Sequence, residues 1–179
     1  MRMSVGARRA GLKRRIAYHE AGHAVAAVLL KRQFEYVTIK RIGDLGGHMA
    51  YSIARERKRS TPRMTQAIVA LAGPMAEGRH SRRKAAKLLR GEDVRRIAEL
   101  KLSEKKYVYA VGVALVLVAW NWPSIKAVAK ALQRTGTLTE LAVLNVMKDF
   151  AFLARSGRFP ASAVGRRPTV LYSTSRSKH

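Results

Sequence analysis

The sequence predicts a mainly α-helical domain with a small β element, an α+β architecture. Three observations predict it. Apolar residues recur at three- and four-residue steps over most of the chain. One short β-branched stretch, Tyr36 to Ile42, alternates instead. Glycine and proline punctuate the boundaries between these segments.

The elements follow in order. Residues 1–12 are basic, contain no apolar run, and are expected to form a flexible arm. From Leu12 to Leu30 the spacing of Ile16, Ala17, Ala21, Ala24, Val25 and Val28 predicts a helix. Tyr36-Val37-Thr38-Ile39-Lys40-Arg41-Ile42 reads as a strand, Gly43-Asp44-Leu45-Gly46-Gly47 as a turn, and His48–Ile53 as a second strand. The two strands are expected to pair as a hairpin or within a small mixed sheet. Thr61-Pro62 marks a helix start, since the hydroxyl can cap and proline suits the first turn. That helix should reach about Gly78, with Ile68, Val69, Leu71 and Ala72 on its apolar side.

Residues 79–91 form a basic connector. A helix is expected from near Asp93, where a carboxylate suits the helix dipole, and it continues, with or without a break, to Trp122. Trp122-Pro123 ends it, and a further helix follows to about Leu132. Thr137-Leu138-Thr139-Glu140 has capping-box spacing and should open a last helix through Leu153. The domain therefore spans 13–154, and the basic tail 155–179 is expected to be disordered or to order only on a partner. The stretch Val108–Ala119 is apolar on every side and reads as a core helix, with contact to a membrane surface as the alternative. The apolar run from Tyr107 to Trp120 is too short to cross a bilayer comfortably, so no transmembrane segment is expected. Trp120 and Trp122 are expected to cap that core or to line a substrate pocket.

Composition bounds the function. The chain has 179 residues, 47% of them hydrophobic, which suits one domain with a real core. It carries 36 Lys+Arg against 11 Asp+Glu, a formal charge of +25. An excess of this size favours polyanionic partners, whether nucleic acid, an acidic protein or an anionic lipid surface. No base-reading motif accompanies it, so nucleic-acid affinity would be sequence-blind and salt-sensitive. With no cysteine, disulfides and thiolate metal sites are excluded, and any zinc must be held by histidine and carboxylate. The basic start has no apolar segment of the secretory kind, and a cytoplasmic location is expected.

His19-Glu20-Ala21-Gly22-His23 is a His-Glu-x-x-His pattern inside the first predicted helix. Helical residues four apart lie about 40° apart around the axis, so both imidazoles leave one face and can reach one tetrahedral Zn²⁺. Glu20, leaning to the same side, is placed to act as general base on a water that the metal has made acidic. The reaction this predicts is peptide-bond hydrolysis. Gly22 in a helix interior costs about 1 kcal/mol against alanine, which implies a close approach by backbone, substrate or a neighbouring helix. A catalytic zinc needs a third protein ligand. His48, His80, Glu77 and Asp93 are all candidates, and spacing alone does not choose among them.

The stretch His19-Glu20-Ala21-Gly22-His23-Ala24-Val25 resembles the zinc helix of the peptidase domain of FtsH-type proteases. Further stretches agree in order. Val37-Thr38-Ile39 with Leu45-Gly46-Gly47-His48-Met49-Ala50-Tyr51 is similar to that family's strand and glycine turn. Leu71-Ala72-Gly73-Pro74-Met75-Ala76-Glu77 resembles its Gly-x-x-Ala-Glu helix, and Gly91-Glu92-Asp93-Val94 the segment bearing its third zinc ligand. Thr137-Leu138-Thr139 resembles part of its C-terminal helical region.

The resemblance covers residues 13–150 or so. It implies a helical bundle around a zinc site with His19, His23 and Asp93 as ligands and Glu20 as base. Glu77 is then a reserve ligand or a group behind the ligands. It also implies a substrate-pairing strand at Gly46, Gly47, His48, Met49 and Ala50. The sequence departs from the family in having no Walker-type glycine loop, and the second carboxylate common after Glu77 is Gly78 here. The expected substrates are therefore peptides, loose termini or unfolded chains. An ATPase acting in trans and further copies of the chain remain open as partners.

Overall fold

The computed structural model describes residues 5–40, 47–51, 62–89 and 91–155. Arg41, Ile42, the expected turn at 43–46, the distal end of the second strand, Thr61 and the tail from 156 lie outside the described residues. The architecture is mainly helical with a small three-stranded sheet, as the periodicities predict. In chain order the elements are α1 (Val5–Leu29), β1 (Tyr36–Thr38), β2 (His48–Ala50), α2 (Arg63–Ser81), a 3-10 turn (Ala85–Lys87), α3 (Glu92–Glu99), α4 (Glu104–Trp120), α5 (Trp122–Thr135), β3 (Thr137–Thr139) and α6 (Glu140–Arg155).

Helix α1 begins earlier than expected. Residues 5–12, read from sequence as part of a flexible arm, are helical and continue α1 away from the core; from Gly6 to Leu12 they are exposed. The second half of α1 is buried against α2 and α5. Ala17, Ala21, Ala24 and Val25 are fully inaccessible there, and α2 meets this helix through Ala72, Gly73 and Ala76. Small side chains on both helices let the two backbones come close. At Gly22 a Cβ would lie 2.5 Å from the Ala72 carbonyl oxygen, so the close approach implied by that glycine is to a neighbouring helix.

The sheet has the order β2-β1-β3 with both pairings antiparallel. Val37 in the centre faces Met49 on one side and Leu138 on the other, and all three are buried. Strand β3 is a correction to the sequence reading. Thr137 was expected to cap the last helix but instead pairs with Thr38, the two hydroxyls lying 2.8 Å apart. Thr139 caps α6, its hydroxyl accepting from the Ala142 N–H at 3.3 Å. Glu140, freed from a capping box, accepts from the Phe34 N–H and ties the helix to the approach of β1.

The apolar stretch in α4 is the second correction. Only Ala110, Ala114, Leu117 and Val118 of this helix are buried, so it packs by one face and is not a fully enclosed core helix. The side chain of Trp120 is 63% exposed and caps nothing. Trp122, after the break at Asn121, does join the interior. Its ring stacks with Tyr18 at 5.4 Å, and the Arg79 guanidinium lies over it at 4.7 Å. Arg79 also donates to the Ala119 carbonyl at the end of α4, where a cation meets the negative pole of the helix.

Candidate metal centre

One turn of α1 supplies His19, Glu20 and His23, and α2 lies directly beneath them. Burial and the neighbouring carbonyls fix the imidazoles before any ligand arrives. His23 Nδ1 lies 2.8 Å from the Val69 carbonyl oxygen, which can only accept, so Nδ1 carries the proton and Nε2 points outward as a donor atom for metal. His19 Nδ1 lies 3.2 Å from Glu77 Oε2 and by the same reasoning donates to it. Both Nε2 atoms thus turn to a common point, 3.1 Å apart.

The third group comes from the first turn of α3. Asp93 Oδ2 is 3.0 Å from His19 Nε2, and Oδ1 is 3.3 Å from His23 Nε2. Ligand bonds of about 2.0–2.2 Å in a tetrahedron place donor atoms about 3.3–3.5 Å apart. The three side chains therefore fit one zinc ion with little adjustment, and they form a group of potential ligands within 4.8 Å of one another. Of the candidates that spacing left open, Asp93 is the one brought to the imidazoles. Glu77 stands behind His19, bridging it to Arg15, whose Nε donates to Glu77 Oε1 at 3.0 Å. His80 does not join the cluster; its ring is stacked on Tyr18 at 3.8 Å. His48 lines the adjoining cleft and contacts Tyr36 at 3.3 Å.

The electrostatics fit a cation. Two imidazole lone pairs and a carboxylate converge in a partly buried place, and without metal a proton must take part of the cation's role. Burial disfavours a charged His19, but the hydrogen bonds to Asp93 and Glu77 outweigh it and push its pKa up to about 10. Burial likewise opposes ionisation of Asp93, yet the two imidazoles hold its carboxyl far below the ordinary range. Glu77 is also lowered, the hydrogen bonds from His19 and Arg15 overcoming its desolvation. Glu20 behaves differently: burial raises its pKa despite the nearby histidines. Its Oε2 is buried without a hydrogen-bond partner among the described residues. A carboxylate with a raised pKa and an oxygen without a hydrogen-bond partner, beside the three converging side chains, has the properties of a proton acceptor.

These groups open into a cleft of about 430 Å³. Leu12, Arg15 and Ile16 of α1 form one wall, Gly47, His48 and Met49 a second, and α3 with Arg95 and Arg96 a third. Among the residues expected to pair with substrate, Gly47, His48 and Met49 line the cleft, Ala50 does not, and Gly46 lies outside the described residues.

Sequence reasoning missed three contributors: Arg15, the Val69 carbonyl and Gly73. Arg15 was legible in principle, since it lies four residues before His19 on the same helical face. Gly73 had no such signal. A Cβ there would overlap Nε2 and Cε1 of His23, so the imidazole sits where only glycine leaves room. Comparison with protein families and with curated protein sequences gives no match for this chain.

Proposed function

We propose that this chain is a zinc-dependent endopeptidase acting on unfolded or flexible polypeptides. The observation that carries the proposal is the convergence of His19, His23 and Asp93, with the buried Glu20 carboxylate beside them. A ligand set of two imidazoles and one carboxylate is a known arrangement for catalytic zinc, and it leaves a coordination position open. The mainly helical fold with a small sheet, and the arrival of Asp93 from a segment some seventy residues beyond the motif, support the likeness to FtsH-type peptidase domains.

Zinc at this position supplies Lewis-acid polarisation of a carbonyl and acidifies water. The chain's own groups do the rest. The Val69 carbonyl and Glu77 hold both imidazoles in the tautomer that presents Nε2. Glu20 takes the proton from the attacking water and returns it to the leaving amine nitrogen as the peptide C–N bond breaks. Strand β2 has β1 on one side only among the described residues, which suits it to add an extended substrate backbone on the other. Backbone pairing of this kind reads little side-chain identity. The substrates proposed are peptides, loose termini and already unfolded chains.

The test is cleavage of casein or an unstructured peptide by the zinc-loaded chain. Activity should disappear in Glu20→Gln while zinc content stays near one per chain. Undiminished cleavage by that variant would refute the assignment of the base.

A further inference from the structure

The helix most apolar in sequence contributes no residue to the cleft and leaves one side uncovered. Val108, Tyr109, Leu115, Val116 and Trp120 of α4 are 62%, 63%, 52%, 48% and 63% exposed. Their positions follow the helical repeat, so they form one stripe running about 18 Å along the axis. Gly112, in the middle of the stripe, has nothing within 4 Å of where a Cβ would stand. Scattered exposed apolar residues are ordinary, but a continuous stripe of this kind marks a contact surface.

The sequence that carries the stripe is predominantly basic, with the exposed Glu104, one turn before Val108, as the acidic exception. No acidic residue occurs between Glu104 and Glu140, whereas Lys105, Lys106, Lys126, Lys130 and Arg134 do. Leu115 also lines a groove of about 370 Å³ whose rim includes Arg82 and Arg83 at the end of α2. A second copy of the chain would bring a like-charged rim against this one, which disfavours self-association through the face. The occupant that matches both properties is apolar beneath and negative at its surface. Tyr109 and Trp120 stand near the two ends of the stripe, the side-chain types that settle at the level of lipid headgroups.

We infer that the outer face of α4 lies flat on an anionic phospholipid bilayer, the stripe entering the headgroup–acyl boundary and the basic rim meeting the lipid phosphates. Insertion across the bilayer is not implied. Among the described residues no single helix is long and apolar enough to cross a membrane. The buried face of α4 is also committed to α2 through Ala114, Leu117 and Val118. A helix that is apolar outward, flanked by cations and anchored behind by a folded domain has the properties of an interfacial element. The inference does not depend on peptide hydrolysis, because no cleft residue takes part.

The test uses the full chain with vesicles of phosphatidylcholine alone and of phosphatidylcholine mixed with phosphatidylglycerol. Binding is read by co-sedimentation and by the blue shift of tryptophan emission. The expected result is salt-sensitive binding to the mixed vesicles and little to the neutral ones. The double variant Leu115→Asp with Val116→Asp should weaken that binding by more than about tenfold. Trp120→Ser, at a side chain with few neighbours to lose, should weaken it in the same direction and serves if the double variant does not fold. Unchanged binding in folded variants would mean that charge alone attracts the chain, overturning the inference. So would equal binding to neutral vesicles. Absence of vesicle binding, with a doubled mass in light scattering that the variants abolish, would assign the face to a second copy instead. Absence of vesicle binding with tight, variant-sensitive capture by an acidic protein would likewise overturn it.

Discussion

Helices α1 and α4 show opposite relations between composition and environment. Helix α1 is the more polar, with two histidines and a glutamate in one turn, yet its second half is among the most enclosed parts of the molecule. Helix α4 has an almost unbroken apolar sequence, yet half of its circumference faces outward. The difference teaches that burial here is set by how closely a backbone can be approached, not by how apolar the side chains are. Gly22, Ala21 and Ala24 let α2 come against α1, and that approach brings the Val69 carbonyl and Gly73 under the histidines. On α4 only the small residues Ala110 and Ala114, with Leu117 and Val118, turn toward α2, and the bulky ones are left outside.

If α1 is enclosed in order to hold a metal, disruptions at its interface should act on metal binding first. The largest effect is expected for Asp93→Ala. It removes one of the three proposed ligands, and zinc affinity measured against a competing chelator should fall by more than about 100-fold, beyond the loss typical of an outer partner. Gly73→Ala comes next, because the added methyl group must displace the His23 ring. It should cost about 1–3 kcal/mol in chemical denaturation and weaken zinc binding as well. Glu77→Gln leaves the ligand set intact but loosens His19, and affinity should fall by about 10–100-fold. Arg15→Gln acts one step farther out and should move affinity the same way by less.

The pH dependence sharpens the same side of the comparison. With His19 raised from 6.5 to about 10, the metal-free site holds a proton at pH 7 that zinc must displace. Calorimetry in buffers of different ionisation enthalpy should show about one proton released per zinc bound. The sign for stability follows from linkage. The raised His19 stabilises the metal-free fold fully below pH 6.5, and this contribution is lost as pH rises through about 10. The lowered Asp93 stabilises it above its ordinary value of 3.8, and that contribution fades as acid protonates the carboxylate. The smallest effect belongs to α4. Leu115→Ser should change stability by less than about 0.5 kcal/mol in thermal or urea unfolding and leave zinc affinity unchanged. A large loss in either would mean that the outer face is part of the core.

Much of this was legible in sequence because it depends on local periodicity. The spacing of His19 and His23 sets their common face once the segment is helical, and the mainly helical fold follows from the same repeat. The β-branched Val37-Thr38 pair marks the central strand. What was not legible depends on non-local packing. Residue spacing left His48, His80, Glu77 and Asp93 equivalent as third ligands, because only the path of α3 brings Asp93 to the imidazoles. Only the resemblance to a known family favoured it. Thr137 to Thr139 carry both a capping signal and a β-branched one, and pairing with β1 decides between them. The uniform apolarity of α4 concealed which side would be covered.

The central claim is that His19, His23 and Asp93 hold one zinc ion beside Glu20. X-ray absorption at the zinc edge, recorded on the zinc-loaded chain, tests it most directly. The account predicts a four-coordinate site with two imidazole nitrogens and two oxygens at about 2.0–2.2 Å, reduced to a different shell in Asp93→Ala. A spectrum with a single imidazole, or one unaltered by loss of Asp93, would contradict it.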